Sequence, residues 1–167
     1  MTLVVADTSP LNYLVLIGEV AVLPSLYGRV VVPEEVLAEL TDEGAPPAVA
    51  RWIQRRPEWL QVRHVQMTQN DPELQQIDPG ERAAILLAQQ EPDVLLLIDD
   101  AAGRAEASRR GIANTGTLGI LRAGALGELL DLPTALKRLA ETNFRISHTL
   151  VAELLAEDSS RKRQMNE

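Results

Sequence analysis

The sequence contains no cysteine, so disulfide bridges and thiolate metal sites are both excluded. Aromatic residues reach only 3% against a hydrophobic content of 46%, so a core has to be built from Leu, Val, Ile and Ala. No apolar run approaches the roughly 20 residues needed to span a bilayer. The first apolar run is interrupted by Asp7 and no basic segment precedes it, so a secretory signal is not expected. A soluble, cytoplasmic protein without a membrane anchor is the expectation. Lysine is nearly missing, with two Lys against 14 Arg, and 24 Asp and Glu bring the net charge to −8. Taken over the whole chain, that charge argues against a nucleic-acid partner. Two features weaken the argument. A bound cation reverses the sign of an acidic site locally. Arginines also cluster in "RWIQRR" (51–56) and "RRG" (109–111), where planar guanidinium groups either clamp phosphates or form a solvated helix face.

The 167 residues fit one domain with a single core. Residues 2–6, 29–33, 59–65, 93–99 and 112–116 read as short strands, and 93–99, the most apolar, as the centre of a sheet. Helices are expected after Ser9-Pro10, with Ser9 as N-cap and Pro10 in the first turn, and then at 20–28, 33–44 and 46–56. A helix at 78–91 takes Asp78 as its N-cap, and another runs over 101–111. Three more follow in series from residue 117. The polar stretch 68–76 reads as a loop. The alternation of strand and helix predicts an α/β fold, a three-layer α/β/α sandwich around a parallel sheet. One domain is expected over 1–155, with a flexible C-terminal tail over 156–167.

The run "LVVADTSPLN" passes from a buried strand straight into Asp7, Thr8 and Ser9. The run "DVLLLIDDAA" ends the same way, in Asp99 and Asp100. In an open parallel sheet, ligands bind outside the carboxyl ends of the strands, so these carboxylates share one edge. Two helical acids are candidates to join them. Glu39 lies among the apolar residues of "PEEVLAEL", and Glu81 follows Gly80 in the first turn of "PGERAAILLA". Converging carboxylates cannot all stay ionised without a counter-charge. An all-oxygen set suits hard cations such as Mg²⁺ or Mn²⁺. Each acid also has a structural alternative: an Asx turn for Asp7, a helix-dipole acid for Glu81, a surface residue for Glu39, and a helix cap for one of Asp99 and Asp100.

The order Asp7, Glu39, Glu81, Asp99/Asp100, together with "IDDAAGRAEA" and "TGTLGIL", resembles the PIN-domain nucleases, including VapC-type toxins of toxin–antitoxin pairs. The likeness covers the chain to about residue 155. It implies a metal-dependent endoribonuclease that is frequently a homodimer, with RNA as substrate and an antitoxin protein as partner. By that resemblance Asp7, Glu39, Glu81 and Asp100 match the metal-binding acids, with Asp99 beside Asp100 in the catalytic group. Glu81 stands where many relatives have Asp, and Ile98 where they have Thr. Thr8 and Ser9 resemble the small hydroxyl residues beside the first acid. Arg104 is a candidate for holding a substrate phosphate or for pairing with a cluster acid. Two rivals remain: a receiver-like signalling module, which requires a Lys after the last strand, and a PIN-like scaffold without activity. The glycine-spaced segment "TLGILRAGALGELLDL" packs closely either inside the fold or, together with the helix at 11–17, as an exposed dimer patch.

Overall fold

Five short, β-branched or leucine-rich runs pair side by side in a computed structural model that describes residues 1–66 and 71–167. They are β1 (Leu3–Ala6), β2 (Val30–Pro33), β3 (Leu60–Arg63), β4 (Val94–Leu97) and β5 (Ala113–Thr115). The sheet is parallel throughout, in the order β3-β2-β1-β4-β5. β1 is therefore the central strand, and β4, expected at the centre, lies beside it. The first half of β4 is only half-buried, at Val94 and Leu95, so apolar content overstated its depth.

Nine helices connect and cover the strands among the described residues: α1 (Thr8–Leu16), α2 (Val22–Tyr27), α3 (Glu34–Leu40), α4 (Pro47–Gln54), α5 (Pro79–Gln89), α6 (Ala101–Arg109), α7 (Thr117–Leu126), α8 (Leu132–Ala140) and α9 (His148–Met165). Side chains along a strand alternate between its two faces, so one strand serves two cores. Val4 and Ala6 of β1 pack with Leu11, Leu14, Ile120 and Leu139. Val5, between them, packs with Val31, Ile85, Leu87 and Ala107 on the other face. This is the expected three-layer α/β/α arrangement. No helix among the described residues is long and apolar enough to cross a membrane.

Three local expectations give way to tertiary structure. Ser9 does not cap α1: the N-cap position belongs to Asp7, and the Ser9 hydroxyl is drawn 2.8 Å to Asp99 Oδ2. α3 stops at Leu40 rather than reaching 44, and the Thr41 hydroxyl bonds back to the Leu37 carbonyl at 2.9 Å. Residues 156–165, expected as a flexible tail, continue α9. Asp158 anchors that stretch, buried at 4% exposure and paired with Arg161 at 2.5 Å and Lys162 at 2.9 Å. Lys162 also reaches Asp131 before α8 at 3.6 Å. Of the expected polar loop, residues 68–70 lie outside the described residues, and 72–76 form turns.

The glycine-spaced segment packs inward. A Cβ at Gly124 would stand 2.7 Å from Leu130 Cδ2 and 2.8 Å from Val22 Cγ2. Leu121 is fully buried, as are Leu11 and Leu14 of α1, so these leucines belong to the core, while Leu126 and Leu129 of the segment stay exposed. Leu126, at 45% exposure, points outward. Leu121→Ala is therefore expected to cost about 2–5 kcal/mol through the cavity it leaves. Leu126→Ala should stay within about 0.5 kcal/mol. Urea unfolding of the two variants checks this, and equal losses would mean that the inward and outward faces of α7 are misassigned.

Candidate active site

The register of the sheet brings the acids together. Ala6, Leu97 and Thr115 lie in one row across β1, β4 and β5. The next residues therefore leave the sheet side by side: the Asp7 amide bonds to Leu97 O and the Ile98 amide to Thr115 O, both at 2.9 Å. Asp7, Asp99 and Thr117 all follow within two residues of that row. α3, leaving β2 on the other side of β1, adds Glu39, and the N-terminus of α5 adds Asp78 and Glu81.

Asp7 is the central group. It occupies the N-cap position of α1 but its side chain makes no cap hydrogen bond. It is 3% exposed, and its Oδ1 is buried without a hydrogen-bond partner. A buried, orphaned carboxylate oxygen is rare in a finished fold and marks a place for a ligand or an ion. Burial raises the Asp7 carboxyl well above the ordinary Asp range; a backbone bond from Thr8 opposes this, and the charges of Glu81, Glu39 and Asp78 add to it.

Glu39 lies half-buried against the start of α5. The Thr8 hydroxyl donates to its Oε2 in a short hydrogen bond. A Cβ on Gly80 would lie 2.6 Å from both Glu39 oxygens, so any side chain there would displace the Glu39 carboxylate. Burial, and the neighbouring Asp78 carboxyl, raise the Glu39 carboxyl. Glu81 is pushed from 4.5 to about 7, first by burial and then by the charges of Asp100, Asp78 and Glu39.

Asp99 and Asp100 diverge. Asp100 caps α6, accepting from Gly103 N at 2.8 Å, and its charge acts on Glu81. Asp99 turns the other way and is saturated with donors. It receives Thr117 N at 2.6 Å, the Thr117 hydroxyl at 2.7 Å and the Ser9 hydroxyl at 2.8 Å. Gly116 makes this approach possible, since a Cβ there would stand 2.8 Å from Asp99 Oδ1. Arg104 is exposed beside this pair, and its guanidinium makes no ion pair among the described residues.

Two residues join the site that sequence reasoning did not assign to it, and a third, on α3, has an unpartnered oxygen of its own. Asp78 caps α5 through Gly80 N at 3.1 Å, and its charge raises the carboxyls of Asp7, Glu39 and Glu81. The acid-Pro-Gly-Glu order was the available signal. Thr117, fully buried, ties β5 to Asp99 and was visible only as part of "TGTLG". Glu35, one turn before Glu39 on α3, carries the other buried carboxylate oxygen without a partner, and nothing in the sequence set it apart. The basic group at 109–110 is consumed by acids: Arg110 binds Asp71 at 2.9 Å and Glu106 at 2.7 Å, and Arg109 pairs with Glu73 and Glu106. His64 bonds Glu34 on the surface and His148 is exposed at the start of α9.

The donor set is entirely oxygen, with one oxygen left open in the interior, and its chemistry fits a hard divalent cation. Among the described residues no group of three or more such side chains is drawn tightly enough to hold a metal ion as it stands.

Two predictions follow from the geometry. The folded Glu81 carboxyl keeps its proton between 4.5 and about 7, where the unfolded one has lost it, and Asp7 and Glu39 shift in the same direction. Their stabilising contribution is complete below about pH 4.5 and is lost as pH rises through about 7. Without divalent cations the melting temperature should therefore fall from pH 5 to 8, and Glu81→Gln should flatten the slope; a slope unchanged in that variant would place its origin elsewhere. The second concerns Gly80. Gly80→Ala should displace the Glu39 carboxylate, leaving the chain folded but weakening Mn²⁺ binding roughly 10–100-fold by calorimetry, the range seen when a group supporting a metal ligand is lost.

A family model described as a PIN domain matches residues 3–160. No curated protein matches the chain.

Proposed function

The chain belongs to the PIN-domain family, whose members are generally nucleases, and we propose that it is a divalent-metal-dependent endoribonuclease hydrolysing RNA phosphodiester bonds. The observation that carries this reading is Asp7: a carboxylate oxygen buried without a partner, among acids whose repulsion a cation would relieve. Asp7, Glu39, Glu81 and Asp100 would hold Mg²⁺ or Mn²⁺. The chemistry such a cation supplies is polarisation of the scissile phosphate and acidification of the attacking water.

The remaining roles belong to the chain's own side chains. Thr8 fixes the Glu39 carboxylate from one side and Gly80 leaves it room from the other. Glu81 titrates at about 7 in the metal-free protein, pushed up by burial and by its neighbouring carboxylates, so near neutral pH it carries a proton that a bound cation would displace. Asp99, held by Ser9 and Thr117, is a positioning residue that joins the ends of β1, β4 and β5. Arg104, exposed and unpaired beside it, would meet the substrate phosphate. At the finer level the protein is the toxin of a toxin–antitoxin pair, acting as a homodimer and restrained by an antitoxin. This rests on the sequence resemblance, and a neighbouring antitoxin gene is its test.

A second reading is favoured by one observation: the acids are not drawn into a metal site as they stand, which fits a PIN-like scaffold that only binds a partner. The receiver reading is disfavoured, because the chain after β5 continues as Gly116-Thr117 with no Lys, while Lys162 pairs with Asp158 and Asp131. Purified protein incubated with RNA and Mg²⁺ or Mn²⁺ separates these readings. Cleavage should appear only with metal. Asp7→Asn should lower it by more than the roughly 10–100-fold cost of losing an outer-shell partner, while the metal-free variant is as stable as the parent or more so. Unchanged cleavage in Asp7→Asn removes that residue from the site; no cleavage by the parent favours the scaffold, and labelling by acetyl phosphate the receiver.

A further inference from the structure

A groove of about 370 Å³ opens directly from Asp99 and runs between the start of α7 and the start of α9. Its walls carry three arginines, Arg104, Arg122 and Arg145, against one acid, Asp99, in a chain of net −8. Arg122 is held by Glu157 at 2.9 Å. Arg104 and Arg145 have no side-chain partner among the described residues. Both are exposed, so their charges are free to meet a ligand without a desolvation cost already incurred by the fold.

The rest of the lining mixes polar side chains, Asn114, Thr115, Thr117 and Ser147, with an apolar group. Phe144, packed edge-on against Tyr13 with ring centroids 4.9 Å apart, stands with Leu150 and Leu154. Leu150 is 39% exposed although it belongs to the groove, an apolar surface left uncovered. Cations at the rim and an apolar floor match a ligand with phosphates on one side and a flat base on the other. The size falls within the ~300–1,000 Å³ of small-ligand clefts and admits about one nucleotide rather than a duplex. Single-stranded nucleic acid is bound by this combination of a basic track and apolar or aromatic contacts to unstacked bases.

We propose that this groove holds a nucleotide of single-stranded RNA next to the scissile phosphate, with Arg145 and Arg104 on its backbone and the floor of Phe144, Leu150 and Leu154 under its base. The inference rests on the ribonuclease reading for its substrate class, but not for its location. It assigns a task to α9, whose first turns form one wall of the groove. It also resolves the charge problem of the acid cluster. The carboxylates repel the backbone, and the groove supplies the attraction that guides a strand to them.

Binding and cleavage test it separately. Anisotropy of a fluorescein-labelled single-stranded RNA, and of the same sequence as a duplex, is measured in EDTA over a range of salt. Arg145→Ala and Leu150→Asp are compared with the parent; both positions are exposed, and circular dichroism checks the fold. The single strand should bind more tightly than the duplex. Arg145→Ala should lower the slope of log affinity against log salt by about 0.7, one phosphate contact to a single strand. Leu150→Asp should weaken binding and, by setting a carboxylate beside the backbone, lower the slope as well. In cleavage assays Arg145→Ala should raise KM with kcat retained, the mark of uniform binding. If the parent binds and cuts RNA but neither variant changes affinity, the groove is not the substrate track and the nuclease reading stands. If the variants weaken single-strand binding but no metal yields cleavage, the groove stands and the nuclease reading fails. Equal affinity for duplex and single strand overturns the assignment to single strands.

Discussion

Crowding of like charge at one edge of the sheet is the constraint on which the rest of the site depends. Asp7, Glu39, Asp78, Glu81 and Asp100 act on one another strongly enough to raise several of the carboxyls. The fold holds Asp7, Glu39 and Glu81 there although each would be better solvated elsewhere. Burial is the larger cause at Asp7, Glu39 and Glu81 alike. Desolvation therefore sets the stage, and the neighbouring charges act in a medium where they are less screened.

The framework answers this load with small residues and hydroxyls. Gly80 and Gly116 each leave space that a Cβ would take from a carboxylate. Thr8, Ser9 and Thr117 donate to Glu39 and Asp99. The central position of β1 explains why Asp7 is the most buried of the set: strands pair on both its sides, and helices cover both its faces. The chain leaves β1 into a helix on one face and β4 into a helix on the other. The crevice between their carboxyl ends is the place where open parallel sheets bind ligands.

Two electrostatic environments meet at Asp99. On one side are carboxylates with no fixed counter-charge, and on the other is a groove with unpaired arginines. The net charge of −8 describes neither. Averaged over the surface it argues against a polyanionic ligand, whereas the arrangement around the β4 terminus separates the two signs by a single residue. Of the two arginine clusters in the sequence, Arg109 and Arg110 are tied to Glu73, Asp71 and Glu106, whereas Arg51, Arg55 and Arg56 are exposed and make no ion pair among the described residues.

The sequence by itself determined the strands, most helices, the parallel sheet and the acids at the strand ends. These follow from local periodicity, proline and glycine positions, and the rule that parallel strands present one edge. The absence of cysteine also removed thiolate ligands from the chemistry. Tertiary structure decided what depends on packing across the chain. The register of β1, β4 and β5 sends Asp99 to Thr117 and Asp100 to the cap of α6, a choice that neighbours in sequence cannot express. Asp78 looks like an ordinary helix cap until α3 is laid against α5. The last twelve residues look polar enough to fray, yet residues to Met165 continue α9 because Asp158 is buried with two cations around it. The glycines of α7 signalled close packing, but only the positions of Val22 and Leu130 showed that the partner is the protein's own interior. Local pattern fixes which element forms, while burial and charge pairing come from residues far apart in the chain.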